Sequence, residues 1–381
     1  MDVLRRWLVG HPARQGVVVS IFVLCVYLIT RNGDNPYNQY VLLADAFAHG
    51  RLHLVDPPAF LELARFDGRA YVIDPPAPTL FLLPLVVVFG TNVSHVLVSC
   101  FVGAAALGFY WVAARRLFRD TAFVILITTL IAFGTDFWWI ASDGGFWSFA
   151  HTSAVFFLGA ALAEAVGKRR PWLAGLLVGL AGLSRLATFL LAPLYLYLVC
   201  DGDLRIRRET VERVLRFGAS LGLTAVAYVM YNIARFGTLA DRGYYHPQYL
   251  DEPWFERGRF DITYVPRHLR AIFIELPARI DAPPYVVPRY IGLALVITTP
   301  AVLYAFRTRL ERRTIAALVG LLCVCCVLFT HGAVGFSQFG YRFALDLLPA
   351  MVILIASGMR ERVTKLGVAA VGASVLVNLW G

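Results

Sequence analysis

Apolar runs of membrane length follow one another along the whole chain, at about 15–30, 93–114, 121–135, 150–166, 214–235, 288–306, 314–331, 342–358 and 366–380. A helix that crosses the hydrocarbon core needs roughly 20 apolar residues, in a working range of about 17–25. The run 171–200 is too long for one crossing and carries Ser184-Arg185 at its centre. Charge decides how it divides. Basic clusters stand at Arg5/Arg6/Arg14, Arg115/Arg116/Arg119, Lys168/Arg169/Arg170, Arg205/Arg207/Arg208, Arg307/Arg309/Arg312/Arg313 and Arg360/Arg362/Lys365. Basic loops stay on the cytoplasmic side. All six clusters share that side only if 171–200 is two short helices hinged at Arg185. The pattern therefore predicts an all-α polytopic membrane protein of about eleven spans, N-terminus in and C-terminus out, as a single transmembrane domain over 1–381.

Composition agrees. Of 381 residues, 59% are hydrophobic and 16% charged, against roughly 45–50% and about 25% in soluble chains. A soluble protein is excluded. The net charge of +10 belongs to the cytoplasmic rims and does not imply nucleic-acid binding. All six cysteines lie inside apolar runs, where packing accounts for them better than disulfides or metal. The first run follows Arg5, Arg6 and Arg14 without a small-residue cleavage site, so it reads as a retained span.

Two outward segments are long, 31–92 and 236–287. Positive charge is not in excess in either: four basic and six acidic residues in the first, six and seven in the second. Long ordered loops are where function concentrates. In the first loop, Asn35 can cap a surface helix that begins at Pro36 and stops at Gly50. Tyr37, Tyr40, Val41, Ala44, Phe47 and Ala48 make its apolar face. Asp67-Gly68 between alternating residues predicts a β-hairpin. Asp74-Pro75-Pro76 then leads into an apolar stretch too short to span, interrupted by Pro84, which reads as an interfacial or re-entrant helix.

The order of these features carries a resemblance. A first span, a loop acid, "YVLLADAFAHGRL", the hairpin "FDGRAYVIDPP", a short apolar helix ending "FG" and a span ending "RRLF" resemble the type C (GT-C) membrane glycosyltransferases. The match is best with the protein O-mannosyltransferase and lipid A aminoarabinose transferase branch. "LAGLLVGLAGLSRLATFLLAPLYLYL" is similar to that branch's paired short helices. "YNIARFGTLADRGYYH" and "QFGYRFALDLLPAMVIL" resemble its middle and late segments. The resemblance covers roughly 15–358. Two positions depart from it. Asn35 follows Asp34 where the branch often has Asp-Glu, and Asp74-Pro75-Pro76 replaces Lys-Pro-Pro.

The resemblance implies an enzyme that moves a sugar from a polyprenyl-phosphate carrier to a hydroxyl or phosphate acceptor, outside a bacterial plasma membrane. It places the general base, a first-loop carboxylate, at Asp34. Arg185 and Arg342 stand at the outer ends of apolar helices and are candidates for the carrier phosphate, because a guanidinium holds phosphate bidentately. Asp45, Asp74, Asp136, His151, Arg242, Tyr244 and His246 are further substrate-contact candidates; Asp136 shares its tryptophan-rich loop with Asp143. No His-x-x-His or Asp-x-Asp spacing in an outer loop suggests a metal, although a site made by His246 and a carboxylate in three dimensions, and with it the need for a divalent metal, stays open; the sugar-charged lipid is the donor substrate expected. Two other classes compete: a lipid or solute transporter, and a non-catalytic protein of the same fold. A transporter needs a cavity that reaches both faces. A transferase needs a carboxylate and arginines around one outward cavity.

Overall fold

The computed structural model describes residues 11–246 and 250–381; Arg5 and Arg6 of the first basic cluster lie outside them. Four helices among the described residues are long and apolar enough to cross a bilayer: α1 (Pro12–Thr30), α4 (His95–Leu117), α7 (Phe146–Ala165) and α10 (Arg208–Phe236). The chain is an integral membrane protein. α5 (Thr121–Phe133) and α6 (Phe137–Asp143) make a fifth candidate span, bent by 47°. The other expected crossings are built of shorter pieces. In 171–200 the chain forms α8 (Pro171–Gly182), a 3-10 turn at Leu186–Leu191 and α9 (Ala192–Val199), with the break at Leu183–Arg185. The run 288–306 is a single helical turn, α12 (Leu295–Thr298), and a 3-10 segment, Pro300–Arg307. α13 (Arg312–Leu328), α14 (Leu348–Gly358) and α15 (Lys365–Trp380) complete the bundle. Prolines at 300 and 349 and the charges at Arg185 and Asp346 account for the fragmentation, since each interrupts regular α-helical pairing or needs a polar partner.

Small residues set the helix crossings. A Cβ on Gly16 of α1 would lie 2.8 Å from the Gly108 carbonyl of α4, and Tyr27 of α1 donates to the Ala132 carbonyl of α5 at 2.9 Å. Gly175 and Gly179, four apart on α8, abut Phe217 and Thr224 of α10. Such spacing lets two backbones approach in a medium that gives no hydrophobic drive between helices.

The first long loop packs as a cap on the bundle. Its surface helix, α2, runs Gln39–Ala48, three residues later than the sequence suggests. The Asn35 oxygen accepts from the Tyr37 N–H at 3.0 Å in a local turn, so Asn35 is not the helix cap. Gly50, at φ 69°, follows the helix end. The hairpin forms as expected: β1 (Leu63–Phe66) pairs antiparallel with β2 (Arg69–Val72) across Asp67 and Gly68, both at positive φ. Tyr40, Val41, Ala44, Ala64, Val72 and Leu82 of the short helix α3 (Thr79–Phe89) share a buried cluster with Phe146 and Phe149 of α7. Arg235, near the end of α10, donates to the Val72 carbonyl at 2.7 Å and locks the hairpin to the bundle. The second long loop holds α11 (Val265–Phe273) and a two-residue ladder, β3 (Ala278–Arg279) with β4 (Val286–Val287).

Candidate active site

The two long loops meet over the hinge in 171–200, and their meeting builds a site. Tyr40 donates to the Pro75 carbonyl at 3.4 Å, and Ala77 N–H donates to the Leu183 carbonyl at 2.9 Å. The Asp74-Pro75-Pro76 segment is thus held on the hinge, next to Arg185. From the other side, Tyr228 of α10 donates to Asp241 at 2.6 Å, and Asp241 accepts the Tyr244 N–H at 3.1 Å. At Gly243 the backbone passes so close to Ile73 that a Cβ would lie 2.9 Å from its carbonyl. That approach delivers the Tyr244 hydroxyl to Asp74, to which it donates. Arg259 donates to the Tyr244 carbonyl and lies 4.1 Å over the Tyr244 ring.

Between these elements lies a cavity of about 660 Å3, a size common for ligand sites. Asp74, Arg185, Tyr244, Arg259 and Arg342 face it, with Trp147, Trp254, Phe336 and Phe343 on its apolar sides. Burial pushes the Asp74 carboxyl above its ordinary range, against the pull of Arg185 and Arg259 and the Tyr244 hydrogen bond. Burial likewise raises the Tyr244 phenol, and the charge of Asp74 raises it further. Below the cavity Arg185 bonds Asp346 at 3.2 Å, and His151 Nδ1 lies 3.0 Å from the other Asp346 oxygen. A carboxylate accepts, so His151 carries its proton on Nδ1. Asp346 and His151 are fully buried, and they close the floor.

At the rim, Asp143 and Asn35 join the first loop to the start of α7. Asn35 Nδ2 donates to Asp143 Oδ1 at 3.2 Å, and Gly145 N–H donates to Oδ2 at 3.1 Å. A Cβ on Gly145 would come within 2.3 Å of the Asn35 amide, so a side chain there would push the amide aside. Asn35 and Asp143 both line the cavity.

The residues singled out in the sequence divide in two. Asp74, Tyr244, Arg185 and Arg342 line the cavity, and Arg342 also donates to the Phe336 carbonyl at 2.9 Å. The others lie elsewhere. Asp34 is exposed and off the cavity wall, although its neighbour Asn35 is on it. Asp45 pairs with Arg51 and His49, both at 3.4 Å, on the outside of α2. Asp136 accepts the Gly340 N–H at 3.0 Å, a link between the bent α5–α6 pair and the segment that carries Arg342. His151 serves the floor. Arg242 lies 5.0 Å over the Phe66 ring and His246 bonds the Arg65 carbonyl at 3.0 Å, so both brace the hairpin. The sequence reading did not single out Arg259, Asp241 or Asp346. For Asp346 a signal existed. A carboxylate inside "FALDLLPA" and a lone arginine inside another apolar run call for each other. Arg259 has no such signal, because it sits among many charges in a polar loop.

A helical membrane bundle with this hinged helix pair and a first long loop folded as a cap is similar in fold to solved membrane-protein structures. The structure of ArnT from Cupriavidus metallidurans bound to undecaprenyl phosphate matches with a TM-score of 0.55 at 15% identity, over 92% of this chain and 60% of that one. The present chain therefore spans three fifths of its length, and the likeness is one of fold. The archaeal oligosaccharyltransferase AglB from Archaeoglobus fulgidus, in complex with an inhibitory peptide and a dolichol-phosphate, is also similar: TM-score 0.47, 13% identity, 96% of this chain and 56% of that one. No family model and no curated protein sequence matches the chain.

Proposed function

We propose that the chain is a membrane glycosyltransferase that takes a sugar from a polyprenyl-phosphate carrier and passes it to a hydroxyl or phosphate acceptor at the outer face of a bacterial plasma membrane. One observation carries this reading: a single cavity at the meeting of the two outer loops holds arginines, carboxylates and a broad apolar wall. Arg185 and Arg342 are the donor's phosphate ligands in this reading, and the aromatic wall takes the sugar and the first isoprenyl units. The transferase class fits better than a transporter because the floor is sealed by the buried Asp346–His151–Arg185 group. The resemblance to GT-C enzymes and a structural relative bound to undecaprenyl phosphate support the same class. The base is a carboxylate that can take a proton from the attacking acceptor oxygen. The resemblance puts it at Asp34; the cavity wall favours Asp143, two residues before the glycine that receives Asn35.

The test is turnover of the purified protein with several polyprenyl-phosphate sugars, read as release of polyprenyl phosphate. Consumption of none of them, together with no donor binding, would end this reading. Within it, Arg342→Ala is expected to weaken donor binding about tenfold or more, and Arg342→Lys to rescue poorly, since a lysine is a point charge without the planar fork. Unchanged donor affinity in Arg342→Ala would remove that arginine from the phosphate site.

The reading also carries the eleven-span topology, in which the short pieces of 171–200 and 288–380 complete the crossings. Cysteines introduced at Asp281 and Arg309 are expected to label from opposite sides of the membrane, Asp281 from outside. Labelling of position 309 from outside would overturn both the span count and the orientation.

A further inference from the structure

A second cavity, of about 670 Å3, lies at the other end of α13. Val327 and Leu328 at the C-terminal end of that helix border the first cavity, and Arg312 and Arg313 at its N-terminal end border the second. At about 1.5 Å per residue the two sites are roughly 25 Å apart along the helix. Two turns distant in sequence converge there. One supplies Arg309, Arg312 and Arg313; the other, after α14, supplies Arg360 and Arg362.

The five arginines face two glutamates, Glu311 and Glu361, and both glutamates are already engaged. Glu311 caps α13 in a reciprocal capping box with Thr314, and Glu361 pairs with Arg313. Among the described residues Arg309, Arg312, Arg360 and Arg362 have no side-chain hydrogen-bond or ion-pair partner. The second turn is built for the convergence. Arg360 and Glu361 both take positive φ, 58° and 51°, a region that residues with a Cβ seldom enter. Retention of charges on one membrane side explains basic loops in general. It does not require four unpartnered guanidiniums around one hollow. The stretch Arg205–Arg208 is different: it borders neither of these two cavities, and Arg207 pairs with Asp203 at 3.6 Å.

The level of the site in the bilayer is marked by its neighbours. Leu310 is 74% exposed, Leu366 63% and Val363 41%, each within a few residues of the arginines. Exposed leucines beside unpaired guanidiniums suit the boundary between acyl chains and headgroups, where the stems of arginine lie along lipid and their heads reach phosphate. The geometry points to a phosphate-bearing anionic lipid as the ligand of this cavity, its headgroup among Arg309, Arg312, Arg360 and Arg362 and its chains against Leu310, Val363 and Leu366. The site is independent of the outer cavity and of the reaction proposed for it. Its effect is to tie the 307–313 turn to the 357–362 turn, and so α13 to α14, at the end opposite the outer loops.

The full chain, purified in a neutral detergent, is to be titrated with phosphatidylglycerol, phosphatidylcholine and inorganic phosphate, following the thermal midpoint and, by native mass spectrometry, the lipid retained. Phosphatidylglycerol is expected to raise the midpoint and stay bound, whereas phosphatidylcholine does neither. Arg309→Ala/Arg312→Ala and Arg360→Ala/Arg362→Ala are each expected to weaken phosphatidylglycerol retention about tenfold or more. The control Arg205→Ala/Arg208→Ala stays within about twofold, as expected for charges outside the cavity. Where an alanine pair does not fold, single Arg312→Gln and Arg362→Gln variants serve, with about a threefold loss each. An equal midpoint shift from inorganic phosphate makes this a free-anion site and overturns the lipid. Equal loss in the control pair reduces it to diffuse charge and overturns the site.

Discussion

Replacing Asp143 by asparagine is expected to lower turnover about 10²–10⁴-fold with donor affinity little changed, the usual cost of removing a general base. At about 1.36 kcal/mol per decade this is roughly 3–5 kcal/mol of transition-state stabilisation. Asparagine keeps the shape and an acceptor for the Gly145 N–H but loses the basicity. The carboxylate is fixed by two N–H donors, from Asn35 at 3.2 Å and Gly145 at 3.1 Å, so its position does not depend on substrate. Asp34→Asn, on an exposed residue outside the wall, is expected to stay within about threefold of wild type, a change too small for loss of the base. The comparison is made on one preparation with a saturating donor. If Asp34→Asn is inactive and Asp143→Asn is not, the base is the first-loop acid implied by family resemblance. If both retain full activity, the carboxylate mechanism fails for this chain. Gly145→Ala gives a third view. A Cβ there would displace the Asn35 amide, 2.3 Å away, and with it one of the two N–H donors to Asp143, so turnover should fall by less than in Asp143→Asn, without any acid being touched.

Asp34, the acid singled out in the sequence, stands one residue from the cavity wall, which Asn35 joins. The end of the first span and the acid after it were legible from hydropathy, and so was the hairpin at Asp67-Gly68, because both depend on local rules. Which of two adjacent side chains, Asp34 or Asn35, turns inward depends on what lies across the gap. Across it are Asp143 and Gly145, some 110 residues on in a different loop, and no local rule couples the two. The helix start shows the same limit. Asn35-Pro36 has the composition of a cap and first turn, yet the Asn35 side chain is used toward Tyr37 and Asp143, and α2 begins at Gln39. The long spans were read correctly because continuous apolarity is a local signal. The pieces of 288–306 were not, since Thr299-Pro300 and the packing of α15, whose Asn378 donates to the Thr298 carbonyl at 2.6 Å, decide where that run stays helical.

The candidate arginines illustrate a further point about buried charge. Arg185 was legible as costly in an apolar run, and a lipid phosphate was the partner considered. The structure supplies a protein partner as well: Asp346, 161 residues later in the chain, with His151 on its other oxygen. The guanidinium also borders the cavity and lies 5.1 Å from the Phe343 ring. An arginine held this way is preorganised. One side is fixed by a buried carboxylate, and the other faces the cavity. His246 and Arg242 had the composition of ligands and turned out to brace the hairpin, because an exposed loop near a site and the site itself look alike in one dimension.

The Arg185–Asp346 pair gives the second large effect, on stability. Asp346→Asn keeps an acceptor for His151 but leaves the Arg185 charge, 13% exposed, without its counter-ion. Removing one member of a buried ion pair costs about 3–5 kcal/mol, because the remaining charge is uncompensated in a low-dielectric interior. The variant should therefore unfold at a clearly lower temperature in detergent, or be recovered in reduced amount. Arg185→Met should be destabilised in the same way, since it leaves the buried carboxylate with His151 as its remaining partner. The double variant Arg185→Met/Asp346→Asn removes both charges and keeps an acceptor for His151. Removing both charges of a buried pair is often neutral or stabilising, so the double variant should recover most of the loss, with a coupling energy of about 1–3 kcal/mol between two contacting sites. Activity separates the two roles. If Arg185 only supports the fold, the double variant regains turnover along with stability. If it also holds the donor phosphate, stability returns and turnover does not, and donor affinity falls with it. Additive losses in stability, with no coupling between the two positions, would mean that the contact at 3.2 Å is not what holds the floor together.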